Sequence, residues 1–240
     1  MRRLLLCLLA TATAAGCGSP AVATPRPTQQ PTPTPRPTPT PAPDTLRVDL
    51  VTTGLGAYMA VVVPVAILHN AASRTGVSGV IVHFLPTRAG RPTTPLDSPA
   101  VTLYPGETLA VTADCTDTCN CTGSCSNPEA VTVTVGAGTW APIPGSAIDA
   151  TGVNFACKNG CGGGRGQWDV SATVGSPQLS QGTRVDLFAW CVNASGAIVG
   201  GSPPDVLTSW PQAGGSLPVQ VPAILSAPPS SCQVGASAAF

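Results

Sequence analysis

Cysteine is the side chain with the most chemistry to offer in this 240-residue chain, which has ten of them beside only two histidines. Four are clustered as Cys115-x3-Cys119-x-Cys121-x3-Cys125, in a loop of Thr, Asp, Asn and Ser with no large apolar residue. Four more follow at Cys157, Cys161, Cys191 and Cys232. Clustered thiolates can hold a metal, but this spacing is neither the paired CxxC of zinc ribbons nor that of iron–sulfur runs. Asp114, Asp117 and Asn120 offer oxygens to Ca²⁺ without EF-hand spacing or a bidentate Glu. The reading is therefore no metal and no cofactor. Neither His69 nor His83 accompanies a Gly-x-Ser-x-Gly elbow, and the eleven carboxylates form no acid/base pair at a recognisable spacing. Gly162-Gly-Gly-Arg-Gly166 lacks the Lys-Ser/Thr of a phosphate loop. These residues predict a non-catalytic protein. The competing reading is a secreted hydrolase or redox protein built from His83, Trp190 and the 115–125 loop.

The N-terminus says where such a chain works. Met1-Arg2-Arg3 is basic, and Leu4–Ala15 is a short, largely apolar run. A membrane-spanning helix needs about 20 residues, so this is an export signal over residues 1–16. Ala14-Ala15-Gly16-Cys17 resembles the lipobox of bacterial lipoproteins, with Ala14 where that family usually has Leu. The resemblance implies that Cys17 is lipidated and becomes the mature N-terminus. Acyl chains contribute about 0.8 kcal/mol per buried methylene, so several would hold the protein at a membrane. The implied location is the cell envelope: the outer side of the cytoplasmic membrane, the periplasm or the outer membrane.

Residues 24–43 alternate Pro with Thr and a few polar residues. Proline fixes φ and has no amide donor, which excludes helix and sheet and leaves an extended, disordered polyproline tether. At about 3.1 Å per residue it reaches on the order of 60 Å from the membrane. Residues 17–43 are thus a lipidated cysteine and a linker. An exported chain meets oxidising conditions, so the even set of eight cysteines predicts disulfides. A Cys119–Cys121 bridge is sterically strained. Cys115–Cys121 with Cys119–Cys125, or bonds from this loop to Cys157 and Cys161, are the better pairings.

Only 9% of residues are charged, and loss of Arg2 and Arg3 leaves nine basic against eleven acidic residues. No basic patch exists, which excludes nucleic acid as a partner on electrostatic grounds. The partners expected are the membrane, through the lipid, and an unidentified protein or glycan. Helix-forming Glu, Lys and Gln are scarce, and short Val/Thr/Leu runs lie between Gly, Pro, Ser and Asn clusters. The fold class is all-β: two small immunoglobulin-like antiparallel β-sandwich units, at 44–140 and 141–240. Strands are expected near 45–52, 59–68, 79–85, 100–103 and 108–113. In the second half they are expected near 130–135, 153–157, 167–174, 184–191, 206–210 and 217–223. The apolar run Leu55–Leu68 is expected to be one buried strand with its entry bend.

Two stretches match at an offset of 106 residues. Phe84 falls on Trp190, Gly90 on Gly196, Tyr104 on Trp210 and Pro105 on Pro211. The shared order is strand, Gly-containing hairpin, strand, Pro turn, strand, which predicts an internal duplication. Each unit resembles the small immunoglobulin-like modules of bacterial surface lipoproteins, FxLYD-type domains among them. The likeness rests on Val65-Ala-Ile-Leu-His-Asn70 and on Pro105-Gly106-Glu107-Thr108, without the family's Phe-x-Leu-Tyr-Asp string. It implies an interaction or spacer module with no catalytic residue to carry over. By period two, Phe188 and Trp190 share one face of a strand. If Val185, Leu187, Ala189 and Cys191 face the core, that aromatic face is open to a sugar or partner. If Trp190 takes the place of Phe84, it is core, and this is the expectation.

Overall fold

The computed structural model describes residues 44–238, apart from 60, 89–90, 93, 114–128, 144 and 208. The export segment, Cys17, the Pro/Thr tether and the 115–125 cysteine loop lie outside the described residues. The fold is all-β, as expected, with one 3-10 turn at Gly162–Gly164 and no α-helix among the described residues.

The first half contains β1 (Val48–Tyr58), β2 (Val61–Asn70), β3 (Gly76–Val80), β4 (Val82–Arg88), β5 (Arg91–Pro92), β6 (Leu96–Asp97), β7 (Val101–Leu103), β8 (Thr108–Thr112), β9 (Ala130–Val135) and β10 (Thr139–Ala141). The second contains β11 (Asp149–Asn159), β12 (Gly166–Gly175), β13 (Val185–Val192), β14 (Ile198–Gly201), β15 (Asp205–Leu207), β16 (Ser216–Leu225) and β17 (Ser231–Ala238). Leu55–Leu68 does not form one strand. It is the end of β1, a turn in which Met59 takes φ 55°, and most of β2. Pro64 is tolerated because the β8 ladder, which covers residues 65–69, stops one residue short of it, at Val65 opposite Thr112.

The second half repeats the strand pairing of the first. The ladder β1-β2-β8 recurs as β11-β12-β16. Strand β4 pairs with β6 and β9 as β13 pairs with β14 and β17, and β3 pairs with β7 as β13 pairs with β15. One detail recurs atom for atom. Ser98 donates its amide to the Val82 carbonyl while its Oγ accepts the Val82 amide, both at 2.9 Å. Ser202 does the same with Ala189, both at 2.8 Å. The Pro turns match too: Tyr104 and Trp210 are buried, and Gly106 and Gly214 take φ 70° and 64°.

Each repeat is a sandwich with its own core. In repeat 1, Ala66, Leu68, Leu109 and Val111 of one sheet meet Val77, Val80 and Leu103 of the β3-β7 sheet and Val82 and Phe84 of the β4 sheet. In repeat 2, Val170, Ala172, Val221 and Ala223 meet Val185, Leu187, Ala189, Val234 and Ala236. There β14 also pairs with β16, joining the two sheets into one curled surface. The repeats are not separate bodies, since Ala42–Phe240 forms one compact unit.

Candidate functional site

The aromatic face of β13 was the clearest ligand-binding candidate in the sequence, and its surroundings decide the matter. Val185, Leu187, Ala189 and Cys191 do point into the core of repeat 2. Phe188 and Trp190 point the other way, yet they are 0% and 9% exposed. Trp190 lies against Val65, Ile67 and Ala110 of β2 and β8, and Phe188 joins the core of repeat 1. This face is the seam between the repeats.

The register corrects the 106-residue match at this strand. Val133 lies opposite Phe84 and Cys232 opposite Cys191, while Thr134 lies opposite His83 and Gln233 opposite Trp190. The counterpart of Phe84 is therefore Cys191, and that of Trp190 is His83. Side chains alternate with period two, so an alignment error of one residue exchanges the faces. Trp190 is buried as expected, but between the repeats and not in the core of its own sandwich.

Backbone contact makes the seam close. A Cβ on Gly56 or on Gly200 would overlap the Ile224 carbonyl oxygen, and each would lie within 3 Å of the other glycine's Cα. A Cβ on Gly54 would press on Ile198, and one on Gly201 would fall 2.9 Å from the Val65 side chain. Thr102 and Ser237 bridge the repeats farther along, with the Thr102 amide donating to Ser237 Oγ at 2.9 Å and that hydroxyl donating to the Thr102 carbonyl at 3.3 Å. Sequence reading missed all of these. The unbroken apolar run of β2 was the available signal, because a strand buried on both faces loses its polar alternation.

The seam also carries an open cleft of about 320 Å³, lined by Thr53, Gly54, Leu55, Glu129, Ala130, Val131 and Ile198. Among the described residues that line it, Glu129 is the ionisable one. His83 is elsewhere, on the exposed outer face of β4, with Nδ1 2.7 Å from Asp97 Oδ1 and both side chains more than half exposed. His69 hydrogen-bonds to Thr108 Oγ1 at 3.0 Å on β8. The structure thus places His83 and Trp190 at equivalent positions of different repeats, one in solvent and one covered. Among the described residues no group of three or more His, Cys, Asp or Glu could hold a metal.

Glu107 and Asp44 have displaced titrations. Burial pushes Glu107 up to about 7, against the opposing hydrogen bond from the Tyr104 amide to Oε2 at 2.7 Å. Burial, and secondarily the charge of Glu107, raises the Tyr104 hydroxyl. Asp44 is held down at about 2 by hydrogen bonds from the Thr75 side chain, the Ser73 amide and the Arg74 amide.

Two disulfides are described. Cys191 and Cys232 lie opposite each other on β13 and β17 and close a bridge inside the core of repeat 2. Cys157 and Cys161 pair with each other across a separation of four residues at the outer end of β11. That pairing excludes the expected alternative in which the 115–125 loop bonds to them. Cys115, Cys119, Cys121 and Cys125 lie outside the described residues, as does Cys17. No family model matches the chain, and no curated protein or solved structure matches it.

Proposed function

We propose that the chain is a lipid-anchored module of a bacterial cell envelope. It presents a disulfide-stapled double sandwich at the end of a Pro/Thr tether and serves as a non-catalytic binding or spacing element for a protein or glycan. The export-type leader, the lipobox-like Ala14–Cys17 and the tether support the location. The observation that carries the reading is the junction at Asp44, directly after the tether. Its Oδ1 accepts the Ser73 amide at 2.7 Å and its Oδ2 accepts the Arg74 amide at 3.1 Å. Three residues on, the Ala71 amide donates to the Arg47 carbonyl at 2.9 Å. The chain is thus fastened to the body where it leaves the tether, so force or spacing set by the tether reaches a rigid fold. The competing hydrolase or redox reading needs His83, Trp190 and the cysteine loop in one site, and Trp190 is taken up by the seam.

Mass spectrometry of the membrane-extracted protein tests the anchor. Acylated Cys17 at the mature N-terminus is the expected result, with Cys17→Ser shifting the protein out of the membrane fraction. Unchanged processing and partition of that variant would overturn the anchor.

A further inference from the structure

The two described disulfides differ in surroundings as well as in sequence separation, which is 4 residues for one and 41 for the other. Cys191 is fully buried and Cys232 nearly so. Cys157 is exposed on β11, which lies at the edge of its sheet beside β12, and Cys161 is half-exposed just beyond the end of that strand. The Cys157–Cys161 loop carries Gly160, whose φ of 67° places it against Tyr58 at the end of β1. A Cβ there would overlap the Tyr58 hydroxyl. Immediately beyond, Gly164 is packed against Pro228 in the connection from β16 to β17. The bond therefore closes a small surface loop whose tip touches the other repeat.

We propose that Cys157–Cys161 is a thiol–disulfide exchange site for an external dithiol, and that its bond latches the two repeats at Tyr58. Access decides which sulfur is attacked. A thiolate of the dithiol attacks Sγ of Cys157, the more exposed residue of the pair, and the disulfide bond breaks with its electron pair passing to Sγ of Cys161, which takes a proton from solvent. The second thiol of the reagent then displaces Cys157 from the mixed disulfide. The dithiol leaves oxidised as a cyclic disulfide, and both cysteines are left reduced. Once protonated, Cys161 has hydrogen-bond acceptors within reach, since its Sγ lies 3.4 Å from the Gln167 carbonyl oxygen and 3.5 Å from that of Asn159. A newly formed S–H finds an acceptor there. Release of the loop frees Gly160 from Tyr58.

The test uses the full exported chain, folded, treated with low dithiothreitol and quenched with an alkylating reagent before peptide mass mapping. Cys157 and Cys161 should be labelled at least about tenfold faster than Cys191 and Cys232, as access predicts. With glutathione in place of the dithiol, the mixed disulfide should form on Cys157. Equal labelling of the two pairs, or a mixed disulfide mainly on Cys161, would overturn the exchange site. The Cys157→Ser/Cys161→Ser double variant, with every other bond left oxidised, tests the latch by hydrogen exchange. Faster exchange at Ala57 and Tyr58 is the expected result. Unchanged exchange there would overturn the latch.

Discussion

Trp190 and His83 occupy the same place in two copies of one strand pattern, and their surroundings differ completely. Trp190 is 9% exposed and packs on β2 and β8 of the neighbouring repeat. His83 stands in solvent on β4, paired with Asp97 across to β6. The partner surfaces differ in the same way. On β2 the outward residues Val65 and Ile67 are buried, whereas their counterparts on β12, Ser171 and Thr173, are polar and partly or fully exposed. Each repeat thus has one apolar or aromatic outer face and one polar outer face, in opposite senses. Packing joins the apolar face of repeat 1 to the aromatic face of repeat 2 and leaves the polar faces outside. A polar outer face of this kind is what the end member of a stacked array requires.

The largest expected effect comes from breaking the seam. Trp190→Ala should destabilise the protein by about 3–5 kcal/mol, the range for a buried aromatic, measured by denaturant unfolding. A small change in midpoint together with loss of glycan or partner binding would instead make β13 a binding face. Next is the buried disulfide, because Cys191→Ser with Cys232→Ser should cost about 2–5 kcal/mol. The same double change at the exposed Cys157 and Cys161 closes a much shorter loop and should cost less. Gly200→Ala should cost about 1–3 kcal/mol as an overpacked seam, since the new Cβ meets the Ile224 carbonyl and the backbone there has φ 148°. Gly79→Ala, at a glycine facing open space with φ 72°, should show only the backbone penalty, of about 1 kcal/mol.

A pH titration separates the repeats by a different route. Glu107 titrates near 7 when folded, above its ordinary 4.5, so the folded state holds a proton that the unfolded state has lost. Stability should therefore fall as pH rises from about 4.5 to about 7, with a slope of at most about 1.4 kcal/mol per pH unit. The corresponding carbonyl in repeat 2 belongs to Gly215, which accepts the Ser176 amide as Glu107 accepts that of Asn70. Repeat 2 has no such carboxylate in its turn. Glu107→Gln should flatten the slope and raise stability at pH 8, and an unchanged slope would place the titration elsewhere. His83→Ala should be the smallest effect, within about 0.5 kcal/mol, because exposed ion pairs contribute little.

Much of the fold was legible because strand chemistry is local. The Val/Thr alternation of β9 and the Pro-Gly turn after Tyr104 both read correctly. Strand β17 did not, because Ser231–Ala238 is mostly Ser, Gly and Ala with little intrinsic strand preference. It is held by its eight-residue ladder with β13 and by the Cys191–Cys232 bridge, neither of which appears in a local window. The duplication was visible, but its register was not. A register shift between Val77 and Val80 within β3, and the break at Ile81 before β4, interrupt in repeat 1 what runs continuously as β13, and the resulting slip of one residue exchanged the faces of Phe84 and Trp190. The glycine seam was hidden for a related reason. Gly54, Gly56, Gly200 and Gly201 carry no local signal of their role, which arises where the two strands cross at backbone distance.

Hydrogen exchange on Trp190→Ala, set beside His83→Ala, tests the shared seam most directly. If the repeats are joined by that tryptophan, its loss should deprotect amides at Val65, Ile67 and Ala110 in repeat 1, although the substitution lies in repeat 2. His83→Ala should leave the same amides as they are in the unmodified protein. Deprotection confined to β13, β14 and β17 would contradict the seam and return the aromatic face to the list of open binding surfaces.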